Sequence, residues 1–298
     1  MVVYTPGGER DVGNEELVGG VVAGKYRLDE HLRPGRFGDF WRGTRLSDKA
    51  RVVVKLLKLE NFANERAMQR FERETRVLAS LNHPNLLRVL DNGVTVGGAP
   101  WVVTEVHNGR MLSDDISELD LSVARVAHIG AQIADVLAHA HSRGVIHRGL
   151  DPEAVLLVET AGDADHVKVL DFGLANLDDS ELADDGPQLT QVGERLGRCE
   201  YMAPEYVEEQ IIDARTDLYA LGIVLFEMLT GQPPFVGRAL QVMTKQVEEE
   251  PFAPSELAAE IEVPEWMDRI VLSLLAKNPD DRPQSGDEVA KALRAGSV

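Results

Sequence analysis

The chain has 298 residues, 44% hydrophobic and 27% charged, enough for a large core and ordinary for a globular protein. Its net charge of −19 argues against nucleic acid or an anionic membrane as a partner, since both need a basic face, and favours basic protein surfaces. A single cysteine, Cys199, excludes an internal disulfide and suits a reducing, cytoplasmic setting.

Residues 1–23 are glycine-rich and acidic and lack periodicity, so they read as a flexible tail; with no apolar run, they are not a signal peptide. Strands are expected over Tyr26–Arg33 and Gly38–Arg45, on either side of the turn residues Pro34, Gly35 and Arg36, and over the Val-rich Arg51–Leu57. Asn64–Leu81 has helical spacing, with Ala67, Met68, Phe71, Thr75, Leu78 and Leu81 on one face. Leu87–Val96 and Trp101–Val106 form a hairpin turning at Gly97-Gly98.

Beyond Gly109 the pattern becomes helical. Ser122–Ser142 places Val126, Ile129, Ile133, Val136, Leu137 and Ala140 on one face. Asp217–Leu229 is apolar on all sides apart from Glu227 and its ends, as in a buried helix; its apolar run is too short to span a bilayer. Trp266–Ala276 and Asp287–Ala295 are two further helices, and Val167–Leu170 is a strand.

Several motifs lie along this frame. Lys55 ends a Val-rich strand, and Glu74 sits on the apolar face of the 64–81 helix, where a carboxylate needs a cation or water. Taken alone, Lys55 is an edge or snorkelling lysine. Asp171-Phe172-Gly173 follows a strand, and then come Ala203-Pro204-Glu205, Asp217 at the head of the buried helix, and Arg282 in Asn278-Pro-Asp-Asp-Arg-Pro283. The bland reading of Asp217 is an ordinary N-cap. His147-Arg148-Gly149-Leu150-Asp151-Pro152-Glu153-Ala154 precedes all of these except Lys55 and Glu74.

In this order the motifs resemble those of the protein kinase superfamily, and most closely bacterial Ser/Thr kinases, through Tyr201-Met-Ala-Pro-Glu205 and Leu229-Thr-Gly-Gln-Pro-Pro-Phe235. The resemblance implies an α+β, two-lobed fold: a five-stranded N-lobe with its helix over 24–106 and a mainly helical C-lobe over 107–298. It implies an ion pair of Lys55 with Glu74, a structural pair of Glu205 with Arg282, and Asp217 bracing the catalytic loop. Phe172, His147 and Leu78 would form an internal spine. Nucleotide-binding positions carried over in vestigial form are Gly35, Gly38, Val53, Lys55, Glu74, Thr104, Glu105, Val106, Leu156 and Asp171.

The departures fall on the chemistry. Gly149 stands at the position of the catalytic base, and Ala154 at that of the metal-holding Asn. Asp171 alone would hold Mg²⁺, and weakly. Arg33 and Pro34 stand in the glycine loop, whose backbone N–H groups cradle phosphate, and Phe40 and Val53 enlarge the expected adenine roof. Asp151 replaces the family's lysine and is expected to pair with Arg198. Arg148 is kept, facing a loop that carries Asp178, Asp179, Glu181, Asp184 and Asp185 in place of a phosphate; Ser180 and Thr190 are candidate phosphosites.

The expectation is a pseudokinase, a protein-binding scaffold or allosteric switch whose partner is an active kinase or a phospho-dependent adaptor. The alternatives are a weak or atypical ATP-dependent Ser/Thr phosphotransferase, and a nucleotide sensor without turnover. The resemblance implies no cofactor with certainty, and ATP and Mg²⁺ only as weak ligands.

Overall fold

The computed structural model describes residues 2–5, 8–11, 17–34, 38–57, 75, 78–118, 121–170, 172, 199–208, 212–259 and 261–296. The chain divides into two units. The described part of the first comprises residues up to Asn82 and Leu87–His107; that of the second comprises His83–Leu86 and residues from Asn108 onward.

The first unit is strand-rich. Strands β1 (Val2–Thr5) and β2 (Gly8–Asp11) form an antiparallel hairpin. A six-stranded antiparallel sheet follows, containing β3 (Val21–Val22), β4 (Tyr26–Pro34), β5 (Gly38–Arg45), β6 (Arg51–Leu57), β7 (Val89–Val94) and β8 (Pro100–Thr104) in the order β3-β4-β5-β6-β8-β7. Sequence reading gave five strands here, and β3 is the sixth. Val22 and Leu17, expected in a flexible tail, are instead buried with Tyr26, Leu28, Trp41, Trp101 and Val103. Isolated apolar residues among glycines carry no periodicity, so tertiary burial alone reveals them.

Alternation along β6 sets the two faces of the sheet. Val52, Val54 and Leu56 join that core, which leaves Val53, Lys55 and Leu57 on the opposite face. Gly38 is required at the start of β5, because a Cβ there would lie 2.0 Å from the Leu56 carbonyl oxygen. The hairpin joining β7 to β8 turns over Thr95–Ala99, closed by the Thr95 N–H donating to the Ala99 carbonyl. Within the expected helix 64–81, only residue 75 and residues 78–80 are described as helical, and Thr75, Leu78 and Leu81 are buried.

The second unit is mainly helical. Its small sheet, ordered β11-β10-β9, contains β9 (Arg110–Met111), β10 (Val155–Thr160) and β11 (Asp163–Val169). Its helices are α1 (Leu112–Ser117), α2 (Val123–His141), α3 (Pro204–Val207), α4 (Ala214–Thr230), α5 (Ala239–Glu248), α6 (Pro254–Leu257), α7 (Glu265–Leu274) and α8 (Gly286–Gly296). Ser122 caps α2 by accepting from the Arg125 N–H, and all six apolar positions expected on its inner face are buried. Helix α4 is buried from Thr216 to Phe226 and ends at Gly231, whose φ of 79° lies in the left-handed region. No helix among the described residues is long and apolar enough to cross a membrane.

A short segment preceding β7 is held in the second unit by amide side chains. Asn85 Nδ2 donates to Gln132 Oε1 (2.7 Å) and to the Val167 carbonyl (3.0 Å). Gln132 Oε1 also accepts from the Val167 N–H (3.0 Å), and its Nε2 donates to the Asp165 carbonyl (2.9 Å). Both side chains are buried, so each broken bond would strand a partner away from water. Gln132→Leu is expected to lower stability by roughly 2–5 kcal/mol and to speed amide exchange at Val167, as read by urea melts and hydrogen exchange.

Candidate functional site

In the second unit the site is built around the loop from His147 to Ala154, which runs from the end of α2 to the start of β10. The Asp217 carboxylate, in the first turn of α4, organises it. Oδ2 accepts from the His147 N–H (2.7 Å) and from His141 Nε2 (2.7 Å), and Oδ1 accepts from the Arg148 N–H (2.8 Å). Asp217 is not the helix cap, as its bland reading had it. Asp213 does that, accepting from the Arg215 N–H (2.8 Å), whereas Asp217 is 1% exposed and aimed at the loop. Burial alone would raise its pKa, but the bonds and positive charge from His141, with the His147 N–H, outweigh burial and hold the carboxyl below its usual value.

Arg148 has a φ of 61°, a left-handed conformation that costs a non-glycine residue of order 1–3 kcal/mol and persists only where its surroundings impose it. The two adjacent N–H bonds to Asp217 do so. His147 Nε2 donates to the Leu170 carbonyl (2.9 Å), its Nδ1 accepts from the Gly149 N–H (3.2 Å), and its ring meets Phe172 edge-on at 4.5 Å. The expected contact between His147 and Phe172 is therefore present; Leu78 belongs to the first unit.

At the two positions where the family resemblance expects a base and a metal ligand, the loop carries Gly149 and Ala154. Gly149 has no side chain. Ala154 is buried, and its N–H donates to Asp151 Oδ1 (3.0 Å), which also accepts from the Glu153 N–H (2.8 Å). Asp151 thus caps the single turn Pro152–Ala154. The Ala154 side chain is a methyl group with no metal-ligating atom, and among the described residues no group of three or more His, Cys, Asp and Glu could hold a metal ion. Asp171, Gly35, Glu74, Arg198 and the acidic stretch 174–197 lie outside the described residues, as do the pairs Lys55–Glu74 and Asp151–Arg198. Leu156 lies on β10, paired with Met111 and Lys168.

The Glu205–Arg282 pair is formed. Arg282 Nη1 donates to Oε1 (2.8 Å) and Nη2 to Oε2 (2.7 Å), and both side chains are buried. Thr216 Oγ1 donates to Glu205 Oε1 (2.9 Å), while Arg282 also donates to the carbonyls of Ala276, Arg215 and Lys277. Sequence reading missed His141, Thr216, Asn85 and Gln132, polar residues whose partners lie far along the chain. Burial pushes the nearby Cys199 thiol up to about 11, which leaves it a poor nucleophile.

In the first unit, Lys55 lies on the face opposite the core. Register places Arg33, Phe40, Lys55 and Val102 in one row across β4, β5, β6 and β8, and Val53 and Thr104 oppose each other in the next. Lys55 is 4% exposed, with Nζ 4.6 Å from the centre of the Phe40 ring; the Arg33 guanidinium carbon lies 4.4 Å from the same ring. After Thr104 the strand gives way to Glu105, whose carboxylate accepts from the Arg88 N–H (3.2 Å) and pairs with His107 Nε2 (2.8 Å). Val106 follows it.

The protein kinase domain family matches residues 26–293. The chain belongs to that family. It is 39% identical over 283 residues to the serine/threonine-protein kinase pkn3 of Myxococcus xanthus, covering 94% of this chain and 51% of the relative. It is 34% identical over 277 residues to the serine/threonine-protein kinase PknB of Mycolicibacterium smegmatis, covering 91% and 43%. The kinase domain of Mycobacterium tuberculosis PknI superposes with a TM-score of 0.71 at 26% identity, covering 93% of this chain and 98% of that domain. The two-lobed kinase fold expected from the sequence is thus the one observed, and the chain spans about half the length of the curated relatives it matches.

Because Asp217 is held below its ordinary pKa, its contribution to stability is full above the unfolded carboxyl value near 3.8 and is lost as pH falls through the folded value. Urea melts from pH 7 to pH 2 are expected to show part of the acid loss of stability disappear in Asp217→Asn, which is also less stable at neutral pH. Arg282→Ala strands a buried carboxylate and is expected to cost about 3–5 kcal/mol in the same melts.

Proposed function

We propose that this kinase-family domain has given up phosphoryl transfer and works as a protein-binding scaffold or switch. The observation that carries the reading is a loop held in place by Asp217 that offers Gly149 and Ala154 where the family's base and metal ligand belong. Loss of a positioned base costs about 10²–10⁴-fold in rate, and the missing amide removes a second metal's ligand. Asp151 is a poor substitute base, because its Oδ1 holds the turn at Glu153 and Ala154. The net charge of −19 supports a protein partner with a basic surface, such as an active kinase or a phospho-dependent adaptor, over nucleic acid or membrane. A free, buried Cys199 supports a cytoplasmic setting.

A second reading, an ATP-dependent Ser/Thr phosphotransferase, is favoured by the relatives. Those compared are named serine/threonine-protein kinases and match more than nine-tenths of the chain. Positioning and electrostatics dominate phosphoryl transfer, so a chain keeping Lys55 and Asp171 retains part of that machinery.

Radiolabelled ATP with Mg²⁺ or Mn²⁺ separates the two. The wild-type chain is expected to label neither itself nor a generic protein substrate above background, whereas Gly149→Asp combined with Ala154→Asn gains measurable transfer. Wild-type labelling abolished by Lys55→Ala would establish the second reading instead.

A further inference from the structure

The row across the first unit's sheet has a consequence for what Lys55 can bind. Arg33, Phe40 and Lys55 are neighbours in register on three adjacent strands, so their side chains share one face. Both cationic groups lie within cation–π distance of a single ring. Lys55 is almost fully buried there, which makes its contact with the ring stronger than at an exposed site. In kinases the equivalent lysine holds the nucleotide's phosphates.

We infer that Phe40 is an internal ligand of this face that competes with phosphate for Lys55 and Arg33. An incoming phosphate draws on the same two cations that the ring contacts, so it gains less from them than it would without the ring. The ring does not remove positive charge; it lowers affinity for any polyphosphate, with or without a base attached. Arg33, one residue before Pro34, also lays its guanidinium on the Phe40 ring. A desolvated contact of this kind corresponds to a penalty of about tenfold to thirtyfold in affinity.

The inference rests on reading this face as the nucleotide-binding face, and binding tests it without any transfer step. Titration calorimetry would compare ATP with inorganic tripolyphosphate on the wild-type chain, Phe40→Val, Phe40→Leu, and Phe40→Val combined with Lys55→Ala. Both single variants are expected to bind both ligands about tenfold or more tightly, and the double variant is expected to lose that gain. A gain for ATP alone would overturn the inference, because the ring would then only block the base. So would equal affinities in wild type and variants, or a gain that survives Lys55→Ala. Should the variants fail to fold, proton NMR of the wild-type chain decides: ring current must move the Lys55 ε-protons upfield, and ordinary shifts there overturn the inference. Phosphate transfer by the wild-type chain would overturn the preceding proposal while leaving these affinities to be judged on their own.

Discussion

One buried carboxylate organises the second unit's chemistry-bearing loop. Asp217 takes two consecutive backbone N–H groups, from His147 and Arg148, and a third bond from His141. An unpaired charge at that depth would cost several kcal/mol, so α4 can present Asp217 only to a loop that turns its amides inward. The left-handed turn at Arg148 is how the loop does so. With those amides fixed, the His147 ring is placed between the Leu170 carbonyl and Phe172, and the chain is steered toward the capped turn at Asp151. Helix, loop and strand β10 are one assembly tied at one point.

The first unit depends on a different constraint, the alternation of side chains across a pleated sheet. Because Val52, Val54 and Leu56 must be buried on one side, Lys55 must stand on the other. Only register then decides its neighbours: Phe40 on one flank and Val102 on the other. A one-residue slip would invert every face, and Gly38, pressed against the Leu56 carbonyl, helps to pin the register that pairs Phe40 with Lys55.

Much of this was legible in the sequence, for identifiable reasons. Strands β4 to β6 and helix α2 carry strong periodicity between clear turn or capping residues, so the expected limits fall within a residue of those observed. The Glu205–Arg282 pair came from motif resemblance, and its Thr216 support came only from the fold. Strand β10 and helix α5 were not read, since Val155–Thr160 is short with weak alternation and Ala239–Glu248 mixes polar and apolar residues. Asp217 was legible through the family pattern, and its alternative as a cap fell because Asp213 lies nearer the helix start. The Arg33–Phe40–Lys55 row was hidden, because proximity across strands is a property of register and not of spacing along the chain.

The pattern of retention and loss bears on function. Groups that fix backbone are intact: Asp217 on the loop, Arg282 on Glu205, Gln132 on Asn85. Gly149 and Ala154 stand where the family resemblance expects a base and a metal ligand. Drift toward instability would strike the buried polar pairs as readily as the chemical positions, since each half-broken pair costs more than a missing surface group. Among the described residues the buried polar pairs around Asp217, Glu205 and Asn85 are formed, and a constraint on shape preserves such pairs whatever the loop does chemically. The left-handed turn at Arg148 is held by the two N–H bonds to Asp217, so the loop backbone is fixed independently of what stands at 149 and 154.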